Sequence, residues 1–224
     1  LILFAQKKVD LDRYNFTVQF HSLPAMHLDS TYRTYNVVVE GTKMMQPFLQ
    51  QLSPANSVIL EGWRMLPQDG HITIKVKLED LLPESVSIKE RTENIKNPLG
   101  QIIGTRILYH EEVVYTFAAT AVINDYKGTH LLDEVIADRG YKQVYSSPEF
   151  PFRKLAEGYF LINTKSTTRE LYRSCVNRAM HYLSNRITDN FGFGEVTVND
   201  VMWIVGSKKH PEYAAHRDAF RQLT

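Results

Sequence analysis

Six tyrosines, Tyr32, Tyr35, Tyr109, Tyr126, Tyr141 and Tyr145, stand out among 12 Tyr and 11 Phe as candidates for recognition chemistry. An exposed phenol offers an apolar ring and a polar hydroxyl, which suits a sugar or a protein surface. On strands the same residue type also fills cores and cross-strand pairs. The metal-ligating residue types are less organised. His110-Glu111-Glu112 reads as strand, where neighbouring side chains point to opposite faces and cannot chelate as a unit. Glu212 and His216 stand four apart on one helix face, a spacing that can share a metal. Catalytic zinc usually takes three protein ligands, and only two converge locally, so no metal is expected there.

Nucleophile and cofactor signatures are missing. Cys175, the one cysteine, falls on an apolar helical stripe, where burial opposes thiolate formation; it reads as core. No G-x-S-x-G elbow occurs, so a Ser-His-Asp site would have to be assembled from distant positions. Neither G-x-x-x-x-G-K-[ST] nor a G-x-G-x-x-G after a strand is present, and the lone G-x-G at Gly192 and Gly194 follows a helical pattern. No cofactor is expected. Adjacent acids, Glu79-Asp80 and Asp133-Glu134, are not distinctive, because paired catalytic carboxylates usually come from different elements.

Composition narrows the partners. The chain has 224 residues, 43% apolar and 23% charged, with 26 basic and 25 acidic side chains. That is globular, and a net charge of +1 gives no reason to invoke nucleic acid or an anionic membrane. No apolar run approaches the roughly 18 residues that span a bilayer as a helix. A single cysteine allows no intrachain disulfide.

The elements that must position the candidates change period near Pro148. Tyr14, Phe16, Val18 and Phe20 alternate with polar residues, as do Ile72, Ile74, Val76 and Leu78, the signature of half-buried strands. Runs at 36–40, 57–63, around Val86 and Ile88, and at 105–124, 129–137 and 141–146 read as further strands. The turn at Pro67-Gln68-Asp69-Gly70 predicts a hairpin between 57–63 and 72–78, and Asn97 to Gly100 and Asn124 to Gly128 predict two more turns. The 105–124 run exceeds the usual strand length, so a bend or bulge is expected in it. From Phe152 the apolar residues step by three or four: Tyr172, Val176, Met180, Leu183 and Ile187 form one stripe. Either one helix runs from about 153 to 189, or a helix starts at the capping box Thr167-x-x-Glu170. Phe191 to Gly194 ends it, Thr197-x-x-Asp200 suggests a short helix through Val205, and a last helix follows Pro211. Strands followed by helices predict an α+β fold: a mostly antiparallel sheet or sandwich over 12–147, then a helical region over 151–224 packed on it. The helical pattern runs to Thr224 without a cap, which points to a continuation.

Several stretches, Lys7 to Phe20, Tyr32 to Val37, Glu61 to Arg64, Asn124 to Gly128 and Ser207 to Tyr213, make most of the chain resemble uncharacterised exported proteins of Bacteroidetes bacteria. The resemblance implies a cell-envelope location and adds no catalytic residue. Two functions are weighed. One is a non-catalytic, exported periplasmic or envelope module that binds protein or glycan; the alternative is an extracytoplasmic hydrolase with a site assembled from distant residues.

Leu1 to Phe4 are large and apolar, Ala5 is small, and Gln6-Lys7-Lys8 are abruptly polar, as at the end of a signal peptide, so residues 1–5 read as its remnant. The expected outcome is a mature N-terminus at or close to Gln6 when the full-length gene product is fractionated from a bacterial host and its N-terminus sequenced. Uncleaved protein confined to the cytoplasm would overturn the export reading.

Overall fold

The computed structural model describes residues 10–223; the expected signal remnant at 1–5 and the cut before Gln6 lie outside them. The described elements, in order, are β1 (Leu11–His21), β2 (Thr34–Gly41), α1 (Gln46–Leu52), a 3-10 turn (Pro54–Ser57), β3 (Arg64–Met65), β4 (Ile72–Leu78), β5 (Leu82–Lys96), β6 (Ile102–Thr116), β7 (Ala119–Asp125), β8 (His130–Ala137), β9 (Gln143–Ser146), α2 (Arg153–Phe191), β10 (Glu195–Val205) and α3 (Tyr213–Leu223). The fold is α+β, with mostly antiparallel sheets and a long helix packed on them. Two compact units divide the chain: Pro24–Gly192 forms one, and the described residues up to Leu23 together with those from Phe193 on form the other. The chain is thus not divided at Pro148 into a β part and a helical part.

The larger unit is built around β4. Its sheet runs β3-β2-β4-β7-β8. Ile72, Ile74, Val76 and Leu78 are each at most 1% exposed, so the alternation seen in the sequence is a real buried face. On one side β4 pairs in parallel with β2, from Tyr35↔Ile72 to Gly41↔Leu78. On the other it pairs antiparallel with β7, from Ile72↔Asp125 to Leu78↔Ala119. This corrects the expected hairpin between 57–63 and 72–78. Residues 58–63 form no strand: Pro54 opens a 3-10 turn, and Val58 and Leu60 are buried as core anchors within the crossover that a parallel β2–β4 pair requires. The long 105–124 run is divided at Phe117–Ala118, where the chain leaves β6 in one sheet and enters β7 in another. The second sheet is β5-β6-β9, a hairpin closed where Asn97 Oδ1 accepts from the Leu99 and Gln101 N–H groups.

Helix α2 is the single long helix, with Phe152 as a cap residue that makes no side-chain cap bond. Thr167 is buried within it, so the capping-box start is not used. The stripe Tyr172, Val176, Met180, Leu183 and Ile187 is at most 5% exposed and joins the same core as the β4 face. Cys175 is buried beside it. Among the described residues no helix is long and apolar enough to cross a membrane.

The smaller unit corrects a second expectation. Residues 195–205 are not a helix but β10, paired antiparallel with β1 from Leu11↔Val205 to His21↔Glu195. Its β-branched residues, Val196, Thr197, Val198, Val201, Ile204 and Val205, favour a pleated strand over a helix. The final helix begins at Tyr213, two residues after Pro211. Arg217 holds it to the ribbon: its guanidinium donates to the Tyr14 hydroxyl and the Asp12 carboxylate and lies over the Tyr14 and Tyr213 rings at 5.6 and 5.2 Å.

Leu183 is fully buried, so its truncation removes transfer energy and leaves a cavity. Leu183→Ala is expected to lower the unfolding free energy by about 2–5 kcal/mol, read from urea denaturation. A loss below about 1 kcal/mol would mean that the stripe is not the support described here.

Candidate functional site

The pairing of β4 with both neighbours brings three loops to one end of the sheet. β2 and β4 start there and β7 ends there, because Ile72 sits opposite both Tyr35 and Asp125. An open cleft of about 730 Å³ results, with Tyr32, His71, Asp125 and Tyr126 in its lining. The three rings form a cluster. Tyr32 stacks on His71 at 5.3 Å, and Tyr126 meets Tyr32 edge-on at 5.6 Å and His71 edge-on at 6.1 Å. Tyr126 is 60% exposed, so part of the aromatic surface is available.

Backbone geometry holds the cluster in place. The loop before β4 is pressed against β2 at Gly70, where an added Cβ would lie 2.5 Å from the Tyr35 carbonyl carbon and 2.6 Å from the Asn36 nitrogen. Only glycine allows that approach. Buried Asn36 locks the contact, its Oδ1 accepting from the Gly70 N–H at 3.1 Å and the Thr73 hydroxyl at 2.8 Å. His71 Nδ1 accepts from the Arg33 N–H at 3.4 Å and contacts the Thr34 hydroxyl at 2.6 Å. A backbone N–H can only donate, so in the neutral ring the proton resides on Nε2. Thr34 Oγ1 also accepts from the His71 N–H at 3.2 Å, which makes Thr34 a positioning group for the imidazole. Tyr126 N–H donates to the His71 carbonyl at 2.9 Å.

Asp125 organises the turn that carries Tyr126. One carboxylate oxygen accepts from the Lys127 and Thr129 N–H groups at 2.9 and 2.7 Å; the other accepts from the Tyr32 hydroxyl at 3.4 Å. Gly128 takes a positive φ of 84° to complete the turn. Burial works to push the Asp125 carboxyl up, but those donors outweigh it and hold it below the ordinary carboxylate range. Asp29, on the loop before Tyr32, is likewise lowered, by the Thr31 N–H and hydroxyl. Burial pushes the Tyr32 phenol up. Lys127 is raised by the neighbouring Tyr126 and Tyr32 phenols, and its ammonium lies 5.4 Å from the Tyr126 ring centre. The cleft lining thus combines aromatic surface with the fixed Asp125 acceptor and one cation, Lys75. Among the described residues no three His, Cys, Asp or Glu side chains gather as metal ligands.

The six tyrosines do not form one platform. Tyr32 and Tyr126 meet in the cleft, but Tyr32 is 5% exposed and belongs to the core, so Tyr126 supplies the accessible ring and the surface role expected for Tyr32 is corrected. Tyr35 is 3% exposed, with its hydroxyl donating to the Val58 carbonyl at 3.0 Å, so its place is the core and the surface role expected for it is corrected. Tyr145 packs half-buried against that core. Tyr109 is half-buried on β6, where its backbone exchanges bonds with Phe150 at 2.8 and 2.7 Å. Tyr141 is 80% exposed and borders another cleft, with Lys142, Arg178 and Tyr182. Burial raises the Cys175 thiol, as the apolar stripe implies. In the smaller unit, Glu212 and His216 face each other at 3.7 Å.

Sequence reasoning missed His71, Asp125 and Asn36 as site residues. Each was visible only as turn or strand-end material. The usable signal was that Asp69-Gly70-His71 and Asn124-Asp125-Tyr126 place aromatic or imidazole rings directly after turn residues, at the mouths of strands.

A scan against protein-family models found no match, and no curated protein matched the chain. Among solved structures, a minor lipoprotein from Acinetobacter baumannii aligns at 14% identity with a TM-score of 0.26, over 71% of this chain and 93% of its own. A Helicobacter pylori structure described as a homolog of the neuraminyllactose-binding hemagglutinin aligns at 12% identity with a TM-score of 0.30, over 92% of this chain and 98% of its own.

Proposed function

We propose that the chain is a non-catalytic, exported binding module and that the Tyr32–His71–Tyr126 cleft takes a glycan. The observation that carries this is the aromatic cluster beside the hydrogen-bonded Asp125 carboxylate. A sugar ring offers C–H faces to aromatic rings and hydroxyl donors to fixed carboxylates, and a cleft of this kind satisfies both without rearranging. Export rests on the Leu1 to Ala5 pattern and on the resemblance to exported Bacteroidetes proteins.

A glycan array followed by titration calorimetry on the best binder tests the reading. Tyr126→Ala is expected to weaken binding about tenfold, the loss of one stacking contact. Asp125→Asn keeps the shape and removes the charge, and is expected to weaken it further by loosening the turn. No bound glycan, or binding untouched by Tyr126→Ala, would sink the proposal.

The acid behaviour gives a separate check. Asp125 and Asp29 have folded-state values below their ordinary ones. Their ionised forms therefore favour the folded turns above the ordinary carboxylate range, and that contribution is lost as pH falls through the lowered values. Carboxyl chemical shifts followed by NMR should titrate both groups below ordinary aspartate. An ordinary or raised midpoint for Asp125 would show that its backbone donors are not in place.

A further inference from the structure

A second site, independent of the aromatic cleft, lies where β5 meets the first turns of α2. A groove of about 600 Å³ there has apolar walls from Val86, Ile88, Phe160 and Leu161. Its polar lining includes Glu111, Arg153 and Glu157. Glu111 stands on β6 directly across from Ile88 and is 3% exposed. Its backbone is satisfied by Ser147: the Glu111 N–H donates to Ser147 Oγ, and the Ser147 N–H donates to the Glu111 carbonyl, both at 2.8 Å. Glu111 lines the groove. The one guanidinium in the lining, Arg153, donates to Glu157 at 3.1 Å. That pair leaves Glu111, the buried acid, without a bonded cation among the described residues. Burial, with the nearby Glu157 charge, raises Glu111 from its ordinary value, the response of an acid held in apolar surroundings without a cation.

The wall of this groove is also a sheet edge. β5 is the outer strand of the β5-β6-β9 sheet and runs for 15 residues; among the described residues no strand pairs with its outer side. Such an edge offers a row of unpaired N–H and C=O groups to an extended chain. Further along, Lys89, Glu90 and Arg91 guard the edge with charge, whereas Val86 to Ile88 beside the groove carry none. Val86 is 51% and Leu161 79% exposed, apolar surface left open among the described residues.

We infer that this groove docks an extended peptide segment of a partner protein, which adds as a strand to β5 at Val86–Ile88 and sets a lysine between flanking apolar side chains against Glu111 and Glu157. The backbone edge supplies the main-chain bonds, the apolar walls take the residues two before and two after the lysine, and the ammonium supplies the charge the groove lacks. A free amphiphilic amine could meet the carboxylates but has no use for the strand edge.

The probe is a fluorescent, end-capped peptide in which threonines alternate with valine, lysine and valine, measured by polarisation on the whole chain. Binding is expected in the wild type. It should weaken about tenfold in Glu111→Gln, and equally when norleucine replaces the peptide lysine. Saturating peptide should slow amide exchange at Val86–Ile88. Glu157→Gln, which changes an exposed residue, carries the same test should Glu111→Gln fail to fold; its expected loss is several-fold. Three results would overturn the inference: no binding of the lysine peptide, equal binding of the norleucine peptide, or hexylamine binding as tightly as the peptide with no exchange protection on β5.

Discussion

Covering one face of β4 is the constraint on which the larger unit depends. Ile72, Ile74, Val76 and Leu78 are sealed, and α2 supplies Val176, Met180, Leu183 and Ile187 to the same core. Each fully buried side chain of this size stabilises by about 1.5–3 kcal/mol relative to exposure, before conformational entropy is set against it. Register follows from the same burial, because a one-residue slip of β4 would turn its lysines inward. Once Ile72 is fixed against Tyr35 and Asp125, His71 and Tyr126 have no freedom to be elsewhere. The cleft is a by-product of strand register, sharpened by the contact at Gly70 that only glycine allows.

Two acids show how environment assigns different properties to the same functional group. Asp125 is surrounded by donors from its own turn and is held ionised. Glu111 lies in an apolar groove, where burial and a neighbouring negative charge disfavour ionisation. The first is a finished acceptor that a ligand hydroxyl can use without reorganisation. The second is an unfinished ion pair, and burial of an unpaired carboxylate is costly enough to make an incoming cation favourable.

The smaller unit follows another logic. An isolated two-stranded ribbon is marginal in water, and β1 with β10 carries exposed Val18, Phe20, Val198 and Trp203. Arg217 compensates by drawing α3 onto the ribbon through Tyr14, Asp12 and Tyr213, and the Phe220 ring packs tilted against Tyr14 with centroids 4.3 Å apart. One guanidinium there serves hydrogen bonding and ring contacts together, a combination that lysine does not offer.

Local pattern in the sequence determined the elements and their inner faces. The strand period of β1, the buried face of β4, the stripe of α2, the turns at Asn97 and Asp125 and the core placement of Cys175 were legible because each depends on residues within a few positions of one another; the inner face read for β1 holds only at Tyr14 and Phe16, since Val18 and Phe20 are exposed. Partner choice was not legible. Alternation says which face of a strand is buried but not which strand lies beside it, so β4 was assigned to 57–63 when its neighbours are β2 and β7. The β10 segment read as helix because its strand partner, β1, lies at the other end of the chain. Among the tyrosines, sequence could not separate Tyr35 and Tyr32, which are buried, from Tyr126, whose ring stays open at the cleft. Residue type and local period fix what a side chain is able to do. Only long-range strand pairing decides which side chains meet, because the contacts that form a site join positions whose separation along the chain leaves no periodic trace.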